Sequence, residues 1–308
     1  MIELLTEPEN SKVSYYDLVG PTKLKLGTNT QIGNQYLKNY YNELNVYSLS
    51  KKHIDYTNPK VFDEWLNKNR MDWVVNCSGF TESTNVDGCG DHKEECYLYN
   101  VSVPLYITKV CNRYNAKIIH IGSGCVYSGY DKIYSEEDVS DFGTDCFESS
   151  FYSKTKDAFE KLSVNMQRYI FRIRIPFSNL VEQKNYLYKI VNYDKLISKQ
   201  NSITCVDDLL VFIKQFISLS SPSPSGVYNV VNRGSVDASD VVQMLKDNGV
   251  SNPKWEFVSI KEANFRVNRS NCILSTKKIE NLGLGLPDVK HSLEKCVRTF
   301  SDVYKLTK

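Results

Sequence analysis

Short apolar runs alternate with longer segments of helical periodicity along most of this chain, and that alternation restricts the fold more than any other feature of the sequence. Lys23–Leu26, Asn45–Ser50, Trp73–Cys77, Lys117–Ile121 and Tyr169–Arg174 read as strands. Between them Tyr36–Glu43, Val61–Asn69, His92–Tyr114 and Tyr152–Gln167 read as helices. Strands that alternate with helices build right-handed βαβ units, whose parallel sheet must be covered on both faces. Farther along, Ser218–Gly226 reads as a loop, Val227–Val231 as a strand, and Val236–Asp247 and Val289–Tyr304 as helices, the former capped by Ser235.

The expected fold is therefore α/β: a Rossmann-like doubly wound parallel sheet with a smaller C-terminal substrate-binding lobe over the strand ends, where open parallel sheets place ligands. The boundaries that follow are an N-terminal extension over 1–20, a dinucleotide-binding part over 21–175, and a lobe over 176–308 with some segments returning to the sheet. No internal repeat or low-complexity tract interrupts this plan.

With 308 residues, 41 % of them hydrophobic, the chain can bury a sizeable core. A formal charge of +2, with scattered lysines, argues against a nucleic-acid or membrane-surface footprint. No stretch approaches the roughly 18 apolar residues that a membrane span needs, and Met1–Pro8 has no leader-like apolar core, so a cytoplasmic location is expected. The nine cysteines are odd in number and lack metal-type spacing, Cys89 and Cys96 included. Reduced, buried thiols and no metal are expected, with Cys125 as the exception.

Chemistry concentrates in two segments, Ile118–Tyr127 and Phe151–Lys156. At a strand end Ser123 and Cys125 project to the same side, because successive side chains alternate. On a helix Tyr152 and Lys156, four apart, share a face, and the ammonium is expected to lower the phenol's pKa so that it can hand a proton to an alkoxide. The Tyr-x-x-x-Lys spacing alone is weak in a chain with 21 tyrosines; the serine-bearing strand before it gives it weight.

A cofactor site is expected at the first strand-to-helix turn, where glycines let the backbone approach a pyrophosphate. Gly27 and Gly33 hold the outer places of that frame, Asn29, Gln31 and Ile32 lie between them, and Thr30 takes the central glycine's place. After the second strand, Ser50 and Lys51 stand where an NAD site carries an acid, which favours the extra phosphate of NADPH. Asp55 falls on the adenine side, and Cys77, Ser78, Gly79 and Asn100 fall near the nicotinamide half.

The chain resembles the extended short-chain dehydrogenase/reductases, in particular the dTDP-4-dehydrorhamnose reductase branch and the plant-type bifunctional UDP-4-keto-6-deoxyglucose 3,5-epimerase/4-reductases. The resemblance is carried by Asn85–Lys93, Gly122–Cys125, Phe151–Lys156, Arg172–Pro176, Lys184–Lys189, Asn201–Thr204 and Arg269–Asn271. It implies an NADPH-dependent enzyme acting on a UDP- or dTDP-linked 4-keto-6-deoxy sugar, with Cys125 and Lys189 as the acid/base pair and Ser123, Tyr152 and Lys156 serving the C4 oxygen and the cofactor. It further implies substrate contacts from Thr81, Asn85, Asn179, Asn185, Ser202, Thr204, Arg269 and Asn271, with Arg269 on the diphosphate. A homodimer is compatible with it. Two alternatives stay open: a reductase without epimerase function, and a non-catalytic subunit of the methionine adenosyltransferase β type, which the altered phosphate loop favours and the intact Ser123, Cys125, Tyr152 and Lys156 oppose.

Overall fold

The computed structural model describes residues 22–26, 32, 45–81, 86–221, 223–263 and 265–307. The first turn's Gly27, Asn29, Thr30, Gln31 and Gly33, the helix expected over 36–43, the extension over 1–20, and Asn85 lie outside these residues.

The described strands, in chain order, are β1 (Thr22–Leu26), β2 (Asn45–Leu49), β3 (Trp73–Asn76), β4 (Lys117–Ser123), β5 (Tyr169–Ile173), β6 (Pro176–Phe177), β7 (Lys195–Ile197), β8 (Thr204–Cys205), β9 (Gly226–Asn229) and β10 (Glu256–Val258). Six of them form one sheet in the order β2-β1-β3-β4-β5-β9, and every neighbouring pair in it is parallel. The chain runs outward from β1 to β2 and then returns to the other side of β1 with β3. That reversal opens a crevice at the strands' C-terminal ends, the place where such sheets bind ligands.

Helices cover both faces. On one lie α1 (Pro59–Asn69) and α3 (Val103–Arg113), which bury Phe62, Leu66, Ile107 and Cys111 against Val74 and Ile118. The region read from the sequence as one helix over 92–114 is three pieces: α2 (Lys93–Tyr97), a π turn over Leu98–Ser102, and α3, whose Pro104 sits in its first turn. A proline ring disrupts a preceding helical turn, and π turns cluster at functional sites. Here the π turn carries Asn100 toward the sheet.

α4 (Phe151–Leu162) begins where Ser150 accepts a hydrogen bond from the Ser153 amide, so its first turn presents Tyr152 and its second Lys156. Then follow α5 (Tyr186–Asn192) and α6 (Val206–Ile217). α6 is the most apolar of the helices and buries Leu209, Phe212, Ile213 and Phe216 against β3, β5 and β9. Its apolar residues cover more than one face, and the reading by periodicity passed over it for that reason.

The remaining helices are α7 (Ala238–Asp247), α8 (Lys277–Glu280) and α9 (Val289–Leu306). Asp237 caps α7, in a capping box with Asp240, rather than Ser235. Ser235 instead bonds Gln200. α5, α7 and α9 share a second core of Leu187, Ile190, Val241, Leu245, Leu293 and Phe300, on which β6 and β8 pair. Among the described residues no helix is long and apolar enough to cross a membrane.

A buried ion pair ties α4 to the sheet. Arg172 of β5 and Glu160 of α4 meet at 2.5 Å, and Arg172 also donates to the Tyr127 hydroxyl at 2.8 Å. This fastens the helix that carries Tyr152 and Lys156 to the strand next to the one that carries Ser123.

Candidate active site

β4 delivers Ser123 at its last residue, and the Cys125 amide donates back to the Ser123 Oγ at 3.2 Å. The tight passage through Gly122 and Gly124 needs glycine. A Cβ at Gly122 would stand 2.6 Å from Ile170 Cγ2, and one at Gly124 2.6 Å from Leu274 Cδ1 and 2.9 Å from Arg174 Cγ. The buried Tyr152 faces this segment from α4, and Cys125 packs against the small cluster that holds Tyr152, Cys89 and Cys96. Ser123, Cys125 and Tyr152 thus meet, although β4 ends at Ser123 and Cys125 is placed by the turn beyond it rather than by strand alternation.

The electrostatics differ from expectation. Burial raises the Tyr152 pKa, nearby Cys125 adds to the rise, and hydrogen bonding by Ser123 opposes it. The Lys156 pKa is in turn lowered by burial. Its ammonium stands 5.5 Å from the Tyr152 ring centroid. Desolvation, which disfavours whichever form is charged, outweighs the helix-face pairing on which the expected phenol shift rested. The phenol therefore holds its proton in this state.

Lys156 also shows what the site lacks. Among the described residues its Nζ meets no hydrogen-bond acceptor, and a methyl group placed on Gly79 would come within 3.4 Å of it and 3.3 Å of Asn100 Oδ1. A half-buried ammonium without an acceptor beside a bare glycine fits a polyhydroxyl ligand such as the ribose of a nicotinamide cofactor. A small polar recess lined by Asn76, Ser78, Asn100, Ser123 and Lys156 lies at these strand ends.

Several expected cofactor contacts turn out to be supports. Cys77 is buried in the apolar core with Val75, Ile119 and Phe171. Asn100 is 1 % exposed, and its side chain bonds Phe80, Cys96 and Thr155, which clamps the loop after β3. Ser78 bonds Asn76. The buried Ser50 hydroxyl pairs with His53, leaving Lys51 as the exposed group, its Nζ on the Tyr99 hydroxyl at 2.9 Å. Asp55 caps its own turn through Thr57. Ile32 packs against the core below β3 to β5.

The expected substrate residues divide likewise. Ser202 and Thr204 are wholly buried, the Ser202 hydroxyl accepting from the Leu274 amide and the Thr204 hydroxyl donating to the Val230 carbonyl. Asn185 is also wholly buried: it caps α5 and bonds Ser178 and Leu180, thereby fixing both Lys189 and the Asn179 loop. Asn179 is half-buried. Lys189 is half-buried, its pKa lowered by burial and by nearby Lys184 and Arg269; Lys184 reaches Thr81 at 3.3 Å. Among the described residues Lys189 hydrogen-bonds neither Cys125 nor Tyr152. Arg269 is held by Asp87 in a two-pronged pair, at 2.5 and 2.8 Å, and lies over the Phe265 ring. Asn271 bonds Asn201. The diphosphate clamp expected of Arg269 is thus closed on a carboxylate in this state.

Sequence reasoning missed three participants. Asp87 lies within the Asn85–Lys93 segment that carries the resemblance, but its role is visible only from its partner, Arg269. Cys96 is a buried thiol whose pKa is drawn down by hydrogen bonding from Cys89, against burial, and further by Thr155 and Asn100. Arg174 stands next to Cys125. The Arg-x-Arg spacing at the end of an apolar strand was its one visible signal.

Comparison with known proteins agrees with this arrangement. A bifunctional dTDP-4-dehydrorhamnose 3,5-epimerase/dTDP-4-dehydrorhamnose reductase of Arabidopsis thaliana is 31 % identical over 236 residues, covering 73 % of this chain and 75 % of that protein. The chain spans only 34 % of a trifunctional UDP-glucose 4,6-dehydratase/3,5-epimerase/reductase of the same plant, with 30 % identity. The solved UDP-rhamnose synthase L780 of Acanthamoeba polyphaga mimivirus superposes with a TM-score of 0.81 at 22 % identity, over 91 % of this chain and 100 % of that one. A dTDP-4-dehydrorhamnose reductase of Bacillus anthracis, solved with NADP, gives 0.77 at 20 %, over 90 % and 98 %. These two show the shared fold. The RmlD substrate binding domain family model matches residues 22–301, and the chain belongs to that family.

Proposed function

We propose that this chain is an NADPH-dependent epimerase/4-reductase of a UDP-linked 4-keto-6-deoxyhexose. One observation carries the reading: Ser123, Cys125, Tyr152 and Lys156 converge where β4 ends and α4 begins. The names of the Arabidopsis relatives supply the substrate class, and the NADP-bound reductase supplies the cofactor class.

A ketone at C4 acidifies the hydrogens on C3 and C5. Cys125 and Lys189 exchange protons with those carbons, one group removing a proton and the other returning it on the opposite ring face. The negative charge so formed sits on the C4 oxygen, which accepts hydrogen bonds from Ser123 and Tyr152. Reduced nicotinamide, when bound, supplies hydride to C4. Tyr152 gives its phenolic proton to the oxygen, and the Lys156 ammonium stabilises the phenolate left behind. Burial keeps that proton in place until charge develops on the substrate. Lys156 would hold the cofactor ribose beside Gly79, while Lys51 and its neighbour Lys52 would supply positive charge for a 2′-phosphate.

A reductase that receives already inverted substrate is the second reading, favoured by the lack of a hydrogen bond between Lys189 and the Cys125 group. Incubation with UDP- and dTDP-4-keto-6-deoxyglucose and NADPH tests both readings. Cofactor oxidation with formation of a 6-deoxy-L-sugar nucleotide is expected, fastest with the UDP form. Oxidation only when the inverted ketone is supplied would overturn the epimerase half, and none with either ketone would overturn the whole.

A further inference from the structure

Arg174 is 1 % exposed, yet among the described residues no carboxylate pairs with it. Its Nη1 donates to Gly124 O at 3.2 Å and Ser270 Oγ at 2.7 Å, and its Nη2 to Asn201 Oδ1 at 2.7 Å and Ser270 O at 3.0 Å. All four acceptors are neutral, and its Nε has no partner. Nη1 also lies 3.8 Å from Cys125 Sγ.

An uncompensated buried guanidinium is costly, because isolated charge is poorly solvated inside a protein. The surroundings are nonetheless built to hold it there. Gly124 lets its stem pass, since a Cβ would meet Arg174 Cγ at 2.9 Å and Cδ at 3.1 Å. The next residue, Ile175, is β-branched and sits at φ 37°, a left-handed conformation that such residues avoid. Charge without a counterion, strain at the adjoining residue and contact with a half-buried free thiol all coincide at the end of β5.

We infer that Arg174 is a positioning residue that supplies the missing anion's partner: its guanidinium holds the Cys125 sulfur as a thiolate aimed at the sugar ring. The inference rests on the acid/base role proposed above for Cys125. It assigns the two cations of the pocket to different tasks. Lys156 faces the phenol, and Arg174 faces the thiol. Of the other groups near Cys125, Tyr152 and Cys272 carry protons at neutral pH, since burial raises the pKa of each, whereas hydrogen bonding from Cys89 draws the Cys96 thiol down to about 7. When Cys125 takes up a proton from C3 or C5 the sulfur becomes neutral, and the arginine favours release of that proton and return of the thiolate, while Lys189 delivers a proton to the opposite face of the ring.

The test uses iodoacetamide on the folded, ligand-free protein near neutral pH, with alkylation followed peptide by peptide. The thiolate is the reacting form, so Arg174→Gln should slow reaction at Cys125 about tenfold, whereas Arg174→Lys, which keeps the charge, should stay within about threefold of wild type. In parallel, turnover of the already inverted ketone with NADPH should change little in both variants, because Tyr152 and Lys156 are untouched. A folded Arg174→Gln protein alkylated as fast as wild type would overturn the inference, as would an equal slowing by lysine and glutamine. Should the glutamine variant fail to fold, the wild-type chain decides alone: Cys125 should react about tenfold faster than the similarly half-buried Cys146, and equal rates would overturn the inference. If wild type shows the alkylation pattern but exchanges no hydrogen at C3 or C5 of the ketone, the proposed function fails while the Arg174–Cys125 coupling stands.

Discussion

Replacing Glu160 by glutamine should destabilise this protein far more than a single surface charge would. Arg172 Nε lies 3.0 and 3.2 Å from the two Glu160 oxygens and its Nη2 2.5 Å from one of them. The side chains are only 5 % and 10 % exposed, so water cannot replace either partner. Burial by itself would lower the Arg172 pKa, but the charge and bonds of Glu160 outweigh it and raise it, which marks the pair as interdependent. Removing one member of a buried pair leaves an uncompensated charge and costs about 3–5 kcal/mol. For a chain of 308 residues, an unfolding entropy of about 2.1 cal/mol/K per residue converts that loss into a melting temperature lower by about 5–8 °C. The double variant Glu160→Met with Arg172→Met removes both charges and should recover to within about 3 °C of wild type, since Tyr127 keeps its bonds to Ser135 and Asp138. Calorimetric scans at low and high salt read the effect, which should be nearly salt-independent. A loss below about 2 °C for Glu160→Gln, or a double variant no better than the single one, would refute the reasoning.

Four further outcomes follow from the site. Cys125→Ala should lower solvent-hydrogen exchange at C3 and C5 by about 10²–10⁴-fold while sparing reduction of the inverted ketone, and Tyr152→Phe should lower reduction by a similar factor, both read by NMR and NADPH absorbance. Lys156→Met should abolish measurable reduction yet raise stability near neutral pH. The depressed Lys156 pKa means the unfolded chain binds more protons between the folded pKa and the ordinary lysine value of 10.5, so wild-type stability gains with pH through that window and the variant should lack the gain in urea titrations. His120 is buried neutral between Asn76 and Thr108, with its pKa pushed down to about 3 by burial. The unfolded imidazole takes up a proton below about pH 6.5, so this group costs stability progressively as pH falls from there toward 3; His120→Gln should move the acid-unfolding midpoint lower by about half a unit. Asn185→Ala, which removes the α5 cap, should cost about 1 kcal/mol in denaturant titrations and lower exchange more than reduction, because Lys189 rides on that helix.

The sheet was legible because each strand is a short apolar run and each crossover an amphipathic stretch, a pattern that few folds satisfy. Ser123, Cys125, Tyr152 and Lys156 were legible because their geometry is local: the turn that leaves β4 at Ser123 brings Cys125 back to its hydroxyl, and one helical turn sets Tyr152 and Lys156 on one face. The structural roles of Ser202, Thr204 and Asn185 were not legible, for a complementary reason. Polar residues in sequence look available for ligands, but these are consumed by backbone groups that a chain crossing between two cores must satisfy. Arg269 and Asp87 pair across more than a hundred and eighty residues of sequence, a separation of 182, which no spacing rule anticipates. The phenol's pKa was misjudged because helix spacing reports proximity to Lys156 and says nothing of desolvation, which dominates here.

The most direct measurement follows the wild-type protein and UDP-4-keto-6-deoxyglucose in deuterium oxide by NMR, first without NADPH and then with it. Deuterium should enter C3 and C5 before any cofactor is added, and the 6-deoxy-L product formed afterwards should carry it at both carbons. Oxidation of NADPH to a product free of deuterium at C3 and C5 would contradict a single oxygen pocket serving both inversion and reduction.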